Sequence, residues 1–337
     1  MFLLSPYKSG FGRQIELIIF MIDDTLINNL FNKDKKSIAR SISIIESDNT
    51  GSSELLKKIY PAVGKAYRIG ITGPPGAGKS TITNNLTKYY RSQNKTVGII
   101  AVDPTSPFTG GALLGDRIRM MEVGQDEGVF IRSMATRGSF GGLSNKARDA
   151  ADVLDAAGYD YIILETVGVG QSELDIAQAA DTTIVVLVPE SGDSIQAMKA
   201  GLMEIADLFV LNKSDRPAAE QALTALKTIL MMKAHDVNSW MPNIIKTIAV
   251  ENKGIEEIAG EIERHKAYLT TTKNLLKKRE SQTWARIIDI VEEKLRSEIL
   301  GKNGEKFLNS TAGKVLSGGI SPYQIAEEII EEFRKNS

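Results

Sequence analysis

The segment Gly70-Ile71-Thr72-Gly73-Pro74-Pro75-Gly76-Ala77-Gly78-Lys79-Ser80-Thr81 joins an apolar run to a complete G-x-x-x-x-G-K-S loop. Residues of these types at this spacing cradle phosphate. Gly73, Gly76 and Gly78 let the backbone turn tightly with its N–H groups inward, and a helix opening near Lys79 adds its positive dipole end. Lys79 would reach the β- and γ-phosphates and the Ser80 hydroxyl would meet Mg²⁺, with Pro74, Pro75, Ala77 and Thr81 completing the loop. A Gly/Pro-rich turn could match this pattern by accident. The strand before it and the helix after it favour the phosphate site.

Three further groups of residues complete the chemistry. The apolar run Tyr161-Ile162-Ile163-Leu164 ends in Glu165-Thr166-Val167-Gly168, which sets a carboxylate at the carboxyl edge of a sheet, where ligands of open α/β folds bind. Glu165 can hold Mg²⁺ directly or through water, and Gly168 permits a backbone N–H to approach a γ-phosphate. Asp103, in Asp103-Pro104-Thr105-Ser106, and Asp116, in Gly115-Asp116-Arg117, are candidates for metal coordination or for orienting the attacking water. On residue type alone, Asp103 could equally cap a turn before Pro104 and Asp116 a helix through Met120. The segment Asn212-Lys213-Ser214-Asp215 lies about 130 residues beyond the phosphate loop. The Asp215 carboxylate can accept from both N1–H and the exocyclic amine of guanine, a pair that adenine does not offer. Asn212 would contact the N7 edge and secure the loop, while the Lys213 stem lies along the purine face. Ala249, at the end of the next apolar run, would add a backbone donor to the guanine oxygen.

These residues need a scaffold, and the pattern of apolar runs supplies one. Between Tyr67 and about residue 267, the runs 67–72, 97–102, 129–133, 161–166, 183–188, 208–211 and 244–249 alternate with helical patterns. The expected fold is therefore α/β, a P-loop NTPase with a mostly parallel central sheet flanked by helices. Residues 1–60 read as an N-terminal helical extension, in which Leu26, Leu30, Ile38, Ile42 and Ile45 are spaced for one apolar face. Its first twenty residues read as an upstream addition before Met21. Residues 61–270 form the nucleotide domain. Residues 271–337 read as a C-terminal helical arm whose stripe of Trp284, Ile287, Ile288, Val291 and Leu295 needs a partner, most economically a second copy.

Bulk properties narrow the partners. The 337 residues are 42% hydrophobic and 25% charged with a formal net charge of −1, which leaves no basic field for nucleic acid or an anionic membrane. The apolar stretch Leu17 to Ile22 is too short for a membrane span. With no cysteine and only His235 and His265, the chain lacks thiolate and clustered imidazole ligands, and a cytoplasmic location is expected.

Taken together, Glu165-Thr166-Val167-Gly168-Val169-Gly170-Gln171-Ser172-Glu173, Asp103-Pro104-Thr105-Ser106-Pro107 and Asn212-Lys213-Ser214-Asp215 resemble the MeaB/ArgK family, from about Leu26 to the C-terminus. The resemblance implies a homodimeric GTPase that protects an adenosylcobalamin-dependent acyl-CoA mutase, usually methylmalonyl-CoA mutase, and gates loading of its cobalamin. It implies a Mg²⁺ site of Ser80, Asp103, Asp116 and Glu165. It also makes Pro189 to Lys199 resemble the family's third switch, with Asp193 and Lys199 as the charged residues that complete the active site when the partner binds. Taken alone, Asp193 reads as a helix cap and Lys199 as a solvated helix residue. Val169 stands where Ras-like GTPases carry a water-orienting glutamine, so slow intrinsic hydrolysis stimulated by a partner is expected, with Gln171 as a possible substitute. Three other readings compete, one of them a structural partner module with a vestigial GTP site, against which every phosphate, metal and base element is present. A nickel-type GTP-driven metallochaperone would need the soft or imidazole ligands that are missing, and a kinase linked to basic amino-acid transport would need ATP, which Asp215 disfavours.

Overall fold

The computed structural model describes residues 22–47, 50–104, 121–136, 142–166, 172–189, 200–232, 239–299, 311, 313 and 315–336. Helices α1 (Asp24–Phe31), α2 (Lys35–Glu46) and α3 (Thr50–Ile59) come first among the described residues, followed by a 3₁₀ turn at Tyr60–Ala62. Then come β1 (Tyr67–Thr72), α4 (Lys79–Ser92), β2 (Val97–Pro104), the short α5 (Met121–Gly124), β3 (Val129–Thr136) and α6 (Gly142–Ala156). The middle of the chain continues as β4 (Tyr161–Thr166), α7 (Ser172–Ala179), β5 (Thr182–Leu187), α8 (Ala200–Ile205) and β6 (Leu208–Leu211). It closes with α9 (Ala219–Met231), β7 (Asn243–Lys246), a 3₁₀ turn at Ala249–Glu251, α10 (Ile255–Thr271), α11 (Asn274–Ile299) and α12 (Pro322–Asn336).

The seven strands form one sheet in the order β3-β2-β4-β1-β5-β6-β7, and every neighbouring pair is parallel. Parallel strands lie beneath helices on both faces, so they need side chains that tolerate burial all round. β4 and β5 meet this demand with every residue buried. β1 sits at the centre between β4 and β5, which puts the loop after Thr72 in the middle of the sheet's carboxyl edge.

One face of the sheet is covered by α1–α3, α6 and α7. Leu30, Ile38, Ile42, Ile45, Leu55 and Ile59 join Ala150, Ala151 and Leu154 in a single buried cluster there. Among the described residues the N-terminal extension folds as three helices. Asp23 and Asp34 each accept a backbone N–H three residues on, from Leu26 and Ser37, both at 2.8 Å, so each starts a new helix. Between α1 and α2, Lys33 takes a left-handed φ of 61° that a helix interior would not allow. The opposite face carries α4 and α10, whose Ile82, Leu86, Ile258 and Ile262 pack against Ile69, Ile71, Ile163 and Ile184.

The join between extension and sheet is polar. Asp155 of α6 accepts from the backbone N–H groups of Gly64, Lys65 and Ala66 at 2.9–3.0 Å. Arg68 at the start of β1 donates to both Asp152 (2.6 Å) and Asp155 (3.1 Å). The two carboxylates are almost fully buried. Contacts divide the chain into two compact units, Met1–Leu276 and Lys277–Ser337. Among the described residues no helix is long and apolar enough to cross a membrane.

Candidate functional site

The phosphate loop is shaped by its glycines. Gly73, Gly76 and Gly78 take φ of 134°, 73° and 94°, values that L residues with a Cβ rarely adopt. Two of them are needed for space as well: a Cβ on Gly73 would collide with the Val186 carbonyl of β5, and one on Gly78 with the Asn212 side-chain amide. The loop is therefore pressed between the ends of β5 and β6. Lys79 opens α4 directly after Gly78, is 6% exposed, and donates from Nζ to the carbonyls of Gly73 (2.8 Å) and Pro74 (3.0 Å).

At the next position Ser80 Oγ donates to Glu165 Oε1 at 2.5 Å. Glu165 is 5% exposed at the end of β4, and the adjoining Thr166 hydroxyl donates to Thr72 Oγ1 at 3.0 Å. Two hard oxygen donors thus meet at the carboxyl edge of the sheet. This fits an ion such as Mg²⁺, which takes most of its octahedral shell from phosphate and water. Among the described residues no group of three or more His, Asp and Glu side chains could hold a metal alone.

Asn212 ties the base end to the phosphate end. Its Nδ2 donates to Ala77 O in the phosphate loop (2.8 Å), and its Oδ1 accepts from Thr247 Oγ1 and from the Ala249 N–H, both at 3.0 Å. Both ends of the amide are engaged by protein, so Asn212 works as a brace. The Ala249 N–H, expected to meet a guanine oxygen, points instead to Asn212. Ser214 reinforces the turn by donating to the carbonyls of Leu211 and Thr247, both at 2.8 Å. Lys213 between them adopts φ 58°, a conformation uncommon outside glycine that turns the chain sharply after β6.

These pieces enclose a single cavity of about 590 Å³. Pro75, Gly76, Gly78, Lys79, Ser80, Thr81 and Glu165 line one end, and Asn212, Lys213, Asp215 and Ala249 the other. Gly73, Pro74 and Ala77 lie behind its wall, where their carbonyls receive Lys79 and Asn212. Asp103 lies one residue before the end of β2, in register with Ala135. Its side chain, and Asp116, Gly168, Asp193 and Lys199, fall outside the described residues. Ile248, beside Ala249 in the run 244–249, also lines the cavity, as do Arg216 and Val250, which escaped the sequence reading. Arg216 is signalled only by following Asp215, and Val250, although apolar, is 85% exposed.

A phosphate loop and a guanine-type Asn-Lys-x-Asp segment opening on one cavity, at the carboxyl edge of a parallel sheet, leave one class of protein, the P-loop GTPases. Within that class the chain belongs to the MeaB family, whose description, Methylmalonyl Co-A mutase-associated GTPase MeaB, matches residues 38–304. GTPase ArgK of Escherichia coli is 35% identical over 305 residues, spanning 88% of this chain and 92% of ArgK. The Mus musculus protein named methylmalonic aciduria type A homolog, mitochondrial, is 32% identical over 333 residues, 92% of this chain and 79% of its own. A protein of Pyrococcus abyssi that carries a GTPase name is 46% identical over 317 residues, 93% of this chain and 97% of its own. A crystal structure titled LAO/AO transport system kinase matches with a TM-score of 0.71 at 28% identity, covering 93% of this chain and 99% of that one.

Proposed function

We propose that this GTPase is a switch that gates cobalamin loading and protection of an adenosylcobalamin-dependent acyl-CoA mutase, methylmalonyl-CoA mutase being the one its family description names. The single observation that carries the nucleotide half of this reading is that Lys79, Ser80, Glu165 and Asp215 line one cavity. Lys79 swings from the Gly73 and Pro74 carbonyls to the β- and γ-phosphates. Ser80 and Glu165, with Asp103 and Asp116, would hold Mg²⁺, which would supply charge neutralisation for the transferred phosphoryl group. Gly168 presents its N–H to the γ-phosphate, and Asp215 reads guanine.

The partner half rests on the family description and on the segment from Pro189 to Lys199, where Asp193 and Lys199 complete the catalytic arrangement once the mutase is bound. Val169 cannot orient a water molecule, which supports slow turnover by the GTPase alone. The N-terminal extension (1–60) and nucleotide domain (61–270) act in the cytoplasm with the arm (271–337) joining two copies. Turnover of GTP measured with and without purified methylmalonyl-CoA mutase tests this. Stimulation of tenfold or more is expected, and a rate that is high alone and unchanged by the mutase would sink the switch reading.

A further inference from the structure

Asn85 lies in α4, six positions beyond Lys79 and outside the wall of the nucleotide cavity. Its side-chain Nδ2 donates to the carbonyl of Ala249 at 2.7 Å. That carbonyl also accepts from the N–H of Asn252 at 3.1 Å, while the Ala249 N–H donates to Asn212 Oδ1 at 3.0 Å. Asn212 Nδ2 in turn donates to Ala77 O at 2.8 Å. The bonds close a ring: phosphate loop, Asn212, Ala249, Asn85, and back along α4 to the phosphate loop. Ala249 is 2% exposed and begins the 3₁₀ turn that lines the base end of the cavity together with Lys213 and Asp215.

We infer that Asn85 is a positioning residue for guanine-nucleotide binding: by tethering the Ala249 carbonyl to α4, it fixes the base-end turn at the right distance from the phosphate loop. The inference rests on the nucleotide site proposed above. On the side of β6, Asn212 holds the turn through the Ala249 N–H. Among the described residues Asn85 makes the only side-chain hydrogen bond to the Ala249 carbonyl, from the opposite side. Without it Asn252 still closes the turn, so the 3₁₀ geometry survives, but the turn can swing away from α4. A site that must match a purine and two or three phosphates at once loses affinity when its two ends drift, because the ligand must then bear the cost of ordering them.

The test compares a probe that spans both ends with one that touches only the phosphate end. In the full-length protein with Mg²⁺, Asn85→Ala should raise the Kd for GDP about three- to tenfold, the range set by one hydrogen bond, and leave the Kd for tripolyphosphate unchanged. Equal weakening of both probes would mean that Asn85 merely stiffens α4, and no weakening of GDP would mean that it positions nothing; either overturns the inference. If Asn85→Ala does not fold, Asn85→Asp keeps the volume, removes the donor and sets a carboxylate against the carbonyl, and it must give the same split, larger. Asp215→Asn is measured alongside. A loss of guanine preference there with no effect of Asn85→Ala overturns the positioning role alone, whereas unchanged guanine preference in Asp215→Asn overturns the site and the inference together.

Discussion

Gly78 meets two demands at one atom, a φ of 94° and the Asn212 amide lying where a Cβ would be. Gly78→Ala should therefore push Asn212 off Ala77 and lower GDP affinity by at least tenfold, read by titration calorimetry, with the far-ultraviolet circular dichroism unchanged. Asp215 is exposed at the opposite end of the cavity, and there the chemistry is a matching of donors and acceptors. Asp215→Asn replaces an acceptor with an amide, which should cost guanine about 10²-fold in affinity while improving xanthine, measured by competition between GDP and XDP. Most of these residues are legible in the chain because the glycine loop and the Asn-Lys-Ser-Asp segment are local motifs whose function is written in consecutive positions. The brace role of Asn212 and the place of Asn85 are not. Each depends on a partner 135 or 164 positions away, and no local pattern records such a pairing.

Helices and strands follow the same division. β4 and β5 can be read directly, since an unbroken apolar run is what burial on both faces requires. The anchor between α6 and β1 cannot, because Arg68 meets Asp152 and Asp155 across more than eighty residues. Asp155→Ala removes the acceptor for three backbone N–H groups and half of the Arg68 pairing, and breaking such a buried pair costs about 3–5 kcal/mol. Thermal unfolding should register it as a large drop in Tm. At the edge of the sheet, the Arg91 guanidinium hydrogen-bonds Asp126 and holds its carboxyl below the usual 3.8. A carboxyl lowered in the folded state contributes stability that is present above its unfolded value and lost as pH falls through the folded one. Arg91→Ala should therefore remove part of the decline in stability below about pH 4, seen in denaturant titrations across the acid range.

For the molecule as a whole, the feature that asks for explanation is α11. Its 26 residues include none that is buried, and Trp284, Ile287, Ile288, Val291 and Leu295 are between 43% and 62% exposed. Their spacing of three, one, three and four places them on one stripe of the helix. A second copy of this stripe is the partner proposed, and Ile288→Glu should convert a dimer to a monomer in multi-angle light scattering without changing GDP affinity per chain. An unaltered mass would remove the arm from the assembly. The stripe is legible because helical periodicity needs no partner to be seen, whereas that period does not record what covers it.

The α1–α3 helices have a consequence in time. Leu30, Ile38, Ile42 and Ile45 leave the ribosome early, but α6, against which they pack, begins at Gly142. At synthesis rates of about 5–20 residues per second, roughly 100 residues separate the two by about 5 to 20 seconds. During that interval a row of isoleucines and leucines has no native surface to cover it, so the nascent chain rather than the finished protein is where a helper that shields apolar segments is most needed.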